Sequence, residues 1–426
     1  MILDRGQLNR LEGVTLVGRV ITMTDWQEVP GGVTAPKGYR AAGIAAGLKA
    51  SGLPDLALIV SDGAAIAAGV FTTNQVQAAC VTYCRQQLQR QATAQAILCN
   101  SGQANAGTGA QGWAAVLAKA KWIGDALGIP ADQVLIASTG VIGQQIPLEK
   151  VRVAIPNLLA SLSPTGSDPA ATAILTTDLV KKSIALETQI GDRPVRIGGI
   201  AKGSGMIHPH MATLLAFVTC DATVSPHLWQ QMVRRAADCS FNQITVDGDT
   251  STNDMLLALA NGQSRTPAIT EMGPEASRLE GMLTEVCTHL AKAVARDGEG
   301  ATCLIEVQVR GTSDDAAARK IARTIAGSML TKAAVFGRDP NWGRIAGAAG
   351  RAGVSFNAEQ LEIRLGEFLL MQQGTPQEFD RSAASNYLKQ DPVVIALKVG
   401  EGSGVGQAWG CDLSYDYVKI NAEYTT

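Results

Sequence analysis

Residues 200–222 read IAKGSGMIHPHMATLLAFVTCDA, and inside them two unlike kinds of sequence meet at one peptide bond. Before that bond lies a loop built on Gly203, Ser204, Gly205 and Pro209. After it, from Thr213 to Thr219, Leu, Ala, Phe, Val and Thr form a short run with the residue types of a buried strand. A hydroxyl residue that opens a core strand straight after a glycine loop is where cutting the chain would create a catalyst. The freed amine of an N-terminal threonine can act as base for its own hydroxyl. Thr213 occupies that place. The plainer alternative is that threonine is a good strand residue and here only packs or caps.

Composition narrows the field. A chain of 426 residues has room for two domains or one large layered one. With 17% charged residues and a net charge of -2, it lacks the electrostatic footprint of a nucleic-acid or anionic-membrane binder, and small-molecule chemistry is favoured. The 8 Cys are scattered, form no C-x-x-C, and several sit in apolar runs such as AILCN and TCLIEV, the pattern of reduced, packed thiols in a cytosolic protein. Of the 4 His, only His208 and His210 lie close together; as H-x-H they could hold zinc with a third ligand, but no H-E-x-x-H or Cys partner accompanies them. The VTLVGRVITM run near the start is interrupted by Arg19 and lacks a small-residue cleavage site. No apolar stretch reaches membrane-span length, so a soluble protein is expected, with residues 1–30 unassigned.

Outward from the central stretch, the chain reads as mixed helix and strand. DLALIVSDGAAIAAGVFTT suggests two strands joined by a turn at Ser61, Asp62 and Gly63. AILCNSGQANAGTG suggests a strand ending at Asn100 and opening into a Gly/Asn loop without P-loop spacing. A helix follows over QGWAAVLAKAKWIGDALG, ended by Gly128, and then VLIASTGVIG, a strand running into Ser138, Thr139 and Gly140. A hydroxyl followed by glycine at a strand end lets backbone approach a reacting carbonyl, as an oxyanion hole requires; an ordinary turn is the plainer reading. LEKVRVAIPNLLASL reads as a helix broken near Pro156, AILTTDLVKKS as a strand carrying Thr176, Thr177 and Asp178. FNQITVDGDTSTND concentrates Asp247, Asp249 and Asp254, but Thr252 and Ala258 stand where a calcium loop needs Gly and Glu. The clearest helix spans 274–296, a second is expected over 313–330, and VVIALKVGEGSGVGQAWGCDLS reads as a glycine-rich hairpin followed by further strand in the YDYVKI segment.

Several of these segments together resemble the ornithine acetyltransferase family (ArgJ-type). KGSGMI..MAT-L-AF is similar to its processing site, S-T-G-V-I-G to its oxyanion element, and TTD, D-G-E-G-A-T, PNWG and the terminal N-A-E-Y-T-T to further family segments, in family order from about Gly31 to Thr426. The resemblance implies self-cleavage at Ala212–Thr213 into an α chain (1–212) and a β chain (213–426), with Thr213 as N-terminal nucleophile. It implies Thr139 and Gly140 at the oxyanion, and Thr177, Lys202, Thr213, Glu299, Asn421 and Thr426 at the substrate. Among these, Glu299 takes the amine side of ornithine, and Asn421 and Thr426 the α-carboxylate.

The fold implied is α+β, a layered αββα sandwich of the ArgJ/DmpA-like, N-terminal-nucleophile type. The activity implied is glutamate N-acetyltransferase, carrying acetyl from N2-acetyl-L-ornithine to L-glutamate in arginine biosynthesis through an acetyl-threonine. No cofactor or metal is implied, acetyl-CoA serves some members as a second donor, and the assembly is a heterotetramer of two α and two β chains in the cytoplasm. The rival readings are an N-terminal-nucleophile amidohydrolase or aminopeptidase that passes the acyl group to water, and a non-catalytic metal-binding module at His208 and His210.

Overall fold

The structure, a computed structural model, describes residues 26–208 and 214–423. In chain order its strands are β1 (Gln27–Glu28), β2 (Tyr39–Ile44), β3 (Leu56–Phe71), β4 (Thr93–Gln103), β5 (Val134–Val141), β6 (Lys182–Ile190), β7 (Arg193–Lys202), β8 (Leu215–Cys220), β9 (Ile244–Thr245), β10 (Met255–Ala260), β11 (Leu304–Thr312), β12 (Glu362–Leu365), β13 (Phe368–Gln372), β14 (Thr375–Pro376), β15 (Val393–Lys398) and β16 (Gly404–Cys411). The helices are α1 (Ala79–Arg90), α2 (Gly109–Leu127), α3 (Leu148–Ala160), α4 (Ser167–Ala173), α5 (Pro226–Cys239), α6 (Pro274–Arg296), α7 (Asp315–Ala326), α8 (Met329–Phe336), α9 (Trp342–Gly350), α10 (Arg381–Tyr387) and α11 (Tyr415–Glu423).

One sheet runs β1-β6-β7-β8-β10-β3-β4-β5, with β2 paired on β3; a second runs β14-β13-β12-β15-β11-β16-β9. Strand β8, the apolar run after the glycine loop, sits inside the first sheet, antiparallel to β7 and parallel to β10, and all its residues are buried. A strand covered on both faces reads as continuous hydrophobics rather than alternation, as LAFVTC does.

The layering follows from which way alternate residues point. Phe217, Leu215, Ile200 and Leu257 join one core with α1–α4 and the residues of both faces of β4 and β5. Their neighbours Ala216, Val218, Ile197 and Leu256 join a second core with α5 and α6. The first sheet therefore folds about the long β3: its β4–β5 half lies beneath α1 and α2, and its β6–β10 half beneath α5 and α6. This is the expected α+β layering. A third core gathers Ile305, Val307 and Val309 of β11 under α7 and α9, while Leu304 and Trp409 of the same sheet face α6. Each fully buried Leu, Ile or Phe contributes about 1.5–3 kcal/mol by leaving water.

Several element assignments differ from the sequence reading. Residues 56–71 form one strand rather than two, with a register shift between Val60 and Ala65 in place of a turn. A tight hairpin there would need positive φ at its centre, and Gly63 is not among the positive-φ glycines. Helix α3 continues through Pro156, since Val151, Ile155 and Leu158 bury one face across it. The TTD segment is not a strand: α4 ends at Ala173, Thr176–Asp178 lie in a bend, and β6 starts at Lys182. The 313–330 helix is divided at Gly327 into α7 and α8, with Ser328 capping α8 by accepting from Thr331 N–H. β15 and β16 are not a hairpin, because β11 lies between them and pairs with both. The YDYVKI segment is helical, in α11.

Candidate active site

The sheet ends converge on a cavity of about 290 Å³. Its lining includes Thr139, Gly140, Thr177, Lys202, Glu299 and Asn421, which are all the expected site residues that fall within the described chain. Ala212, Thr213 and Thr426 lie outside the described residues, as does His210. Leu214 and Leu215, which follow Thr213, line the same cavity.

Each wall has its own local cause. Thr139 and Gly140 end β5, and the glycine is required twice: its φ is +125°, and a Cβ there would lie 2.3 Å from the carbonyl carbon of Gly102. Lys202 ends β7. Its Nζ donates to Thr176 Oγ1 at 2.7 Å and, in a longer contact of 3.5 Å, to Thr139 Oγ1. A hydroxyl that accepts from an ammonium keeps its own O–H free to donate elsewhere, which suits Thr139 to an oxyanion.

Glu299 also lines the cavity, beside the loop that follows Lys202. Its N–H donates to Ser204 O at 3.0 Å, and its Oε2 accepts from Asn421 Nδ2 of α11 at 2.9 Å. Gly205 faces this carboxylate so closely that a Cβ would lie 2.5 Å from it. Asp247 and Asp249 complete the acidic side. Asp247 accepts from the N–H groups of Met206 at 2.6 Å and Ile207 at 2.9 Å, and from Asp249 N–H two residues on at 3.1 Å, an Asx turn. Burial pushes its carboxyl above the usual range despite those bonds. Tyr417 lies beside these acids, and burial together with Asp247, Glu299 and Asp249 raises its phenol.

Sequence reasoning missed the support beneath these residues. Asp178 accepts from Gly203 N–H and from Lys182 Nζ, each at 2.6 Å, and its other oxygen lies 3.7 Å from Lys202 Nζ. Burial alone would raise the Asp178 carboxyl, but Lys202 and Lys182 beside it, with the Gly203 N–H, hold it well below the usual carboxylate range. Behind β5, buried Lys119 donates to Asn100 Oδ1 at 2.7 Å and Ser138 Oγ at 3.2 Å, and burial lowers its ammonium to about 8. Asn253 ties the strand ends together by donating to Ala104 O at 2.5 Å and Ser138 O at 2.8 Å. One signal was available: Lys182 has the same parity along its strand as Ile184 and Leu186, which marks a lysine pointing inward.

Trp342 is absent from the cavity lining and packs against the third core, its Asn341 capping α9. His208 Nδ1 pairs with Thr245 Oγ1 at 3.0 Å, and among the described residues no group of three or more His, Cys, Asp and Glu is arranged to hold a metal ion. The cysteines are free and buried except Cys239, which is exposed. Among the described residues no helix is long and apolar enough to cross a membrane.

The ArgJ family profile matches residues 40–426. The chain is 71% identical over 413 residues, 95% of its own length and 100% of the relative's, to the arginine biosynthesis bifunctional protein ArgJ 1 of a Nostoc species. It is 69% identical to the corresponding protein of a Synechococcus species over 94% of this chain and 99% of that one. A crystal structure of ornithine acetyltransferase from Mycobacterium tuberculosis complexed with ornithine is 42% identical, with a TM-score of 0.42 over 44% of this chain and 100% of that one.

Proposed function

The chain belongs to the ArgJ family, and from that premise we propose that this cavity is where it carries acetyl from N2-acetyl-L-ornithine to L-glutamate in arginine biosynthesis. One observation carries the assignment of the site. Thr139, Gly140, Thr177, Lys202, Glu299 and Asn421, drawn from segments far apart in sequence, line a single cavity together with Leu214, the neighbour of Thr213.

The reaction runs in two halves. Thr213 Oγ attacks the acetyl carbon while the threonine's own amine takes the hydroxyl proton. Thr139 and Gly140 meet the negative charge on the carbonyl oxygen, and collapse expels ornithine, whose nitrogen takes that proton back. The acetyl ester on Thr213 is then attacked by the amine of glutamate through the same tetrahedral geometry, restoring the hydroxyl and releasing N-acetylglutamate. The cavity's polarity supports amino-acid substrates: it is lined by the Lys202 ammonium and by the carboxylates of Glu299, Asp247 and Asp249. Glu299 takes the amine side of ornithine, and Asn421 with Thr426 takes the α-carboxylate. The step is an acyl exchange between nucleophiles and calls for no redox group. The relatives' names call those proteins bifunctional, which supports a second activity beside this transfer, and acetyl-CoA is proposed as its acetyl donor.

The nucleophile is generated when Thr213 Oγ attacks the carbonyl of Ala212, and water hydrolyses the resulting ester to leave chains 1–212 and 213–426. The position of β8 supports this, since the stretch to be cut enters a fixed strand directly. Thr213→Ala is expected to leave one uncut chain on a denaturing gel and to abolish formation of ornithine and N-acetylglutamate. Full activity in that variant would reject the mechanism, and acetate release without glutamate acetylation would favour a hydrolase.

A further inference from the structure

Two of the groups placed at the substrate, Lys202 and Glu299, come from distant parts of the chain yet share one buried support. Lys182, on β6, has a fully buried side chain; it donates to Asp178 Oδ1 and Asp297 Oδ2, each at 2.6 Å, and to Val180 O at 3.2 Å. Asp178 stands 3.7 Å from Lys202 and accepts from the N–H groups of Gly203 and Thr176. Asp297 caps the end of α6, accepts from the N–H groups of Leu179 and Val180, and through its carbonyl accepts from Ser204 Oγ at 2.7 Å. Glu299 follows two residues later and bonds Ser204 O. The charges facing this group are Lys182, Lys202 and, farther off, Lys49, against Asp178 and Asp297.

We infer that Lys182 is a positioning residue for acetyl transfer, holding Asp178 beside Lys202 and Asp297 beneath the Glu299 turn so that these two cavity-lining groups keep a fixed separation. The inference rests on the reading that Lys202 and Glu299 touch substrate. Its physical basis is that the group sets two ammoniums, Lys182 and Lys202, against two buried carboxylates, and losing Lys182 leaves one buried negative charge without its partner. Without Lys182, Lys202 alone faces two buried carboxylates, so the pair takes up a proton as pH falls, and the contacts that fix Lys202 and the Glu299 turn change with it. A misplacement of about 1 Å at a reacting centre lowers rate by about 100-fold.

The test is steady-state transfer from acetylornithine to glutamate, from about pH 5 to about pH 9, in full-length wild type, Lys182→Met, Lys182→Met with Asp297→Asn, and Lys182→Arg. Lys182→Met should lower kcat/KM by about 10- to 100-fold and add a second acid limb to the one that the Thr213 amine, the proposed base, already gives wild type. Adding Asp297→Asn, which leaves a single buried carboxylate, should shift that limb back to lower pH. Lys182→Arg keeps the charge but changes its shape, and should lower kcat/KM about tenfold with the wild-type pH profile. The proposal fails if Lys182→Met scales activity down equally at every pH, or if Lys182→Arg retains wild-type kinetics. The Arg variant decides the matter should the Met variant not fold. A wild type that transfers no acetyl would overturn the underlying functional reading, and the proposal with it.

Discussion

At the scale of single residues, the site is built from groups whose environments leave little freedom. Gly140 is the sharpest case, because positive φ and the Gly102 backbone both exclude a side chain. Gly140→Ala is expected to displace the β5 end and to cut kcat by about 100-fold or more, the scale of losing an oxyanion donor. A purified variant with kcat within a factor of about two of wild type would remove Gly140 from that role. Lys119 makes a pH-dependent prediction. Its folded pKa is about 8, against about 10.4 in an unfolded chain. Between these values the unfolded chain holds a proton that the folded protein has released, so this group favours folding increasingly as pH rises through that window. Lys119→Met has no such proton. The unfolding free energy of the variant minus that of wild type should therefore fall, by up to about 3 kcal/mol, between about pH 7 and about pH 10. Denaturant melts at both ends of the range measure it, and a constant difference would refute it.

At the scale of elements, α11 and β8 play opposite parts. Helix α11 has no buried residues, yet it supplies Tyr417 and Asn421 to the cavity; Tyr417 N–H bonds Ser414 Oγ and its ring packs on the edge of the second core, Tyr415 meets Phe336 edge-on, and Asn421 bonds Glu299. Truncation after residue 414 should leave the melting temperature within a few degrees of wild type, because the three cores are scarcely touched. Acetyl transfer should be lost. Unfolding of the truncated protein would show α11 to be structural instead. β8, by contrast, is buried on both faces and bonded on both edges, so it has no freedom to leave the sheet. A strand so placed is what a nucleophile at its start requires, since the reacting hydroxyl must hold position to well under 1 Å.

At the scale of the whole molecule, the proposed cut divides the sequence but not the fold. Strands β8 and β10, which follow the cut, lie between β7 and β3, which precede it, with antiparallel ladders on both sides. The two fragments should co-elute as one species on native gel filtration and separate only in denaturant; elution as free fragments would contradict this topology. The proposed assembly of two α and two β chains predicts a native mass about twice that of one uncut chain, measurable by light scattering. Much of this was legible in the sequence. The glycine loop running into LLAFVTC marked β8, regular apolar spacing marked α2 and α6, and the ordered motifs named residues that converge on one cavity. Such features are local: periodicity, turn chemistry and motif spacing are carried by neighbours along the chain. What sequence could not decide depends on partners distant in sequence. β3 stays extended because β2, β4 and β10 pair along it, and β15 and β16 are parted because β11 takes the place between them. Lys182, Asp178 and Asp297 look like ordinary charges until folding removes their water and brings them together as one another's charged partners.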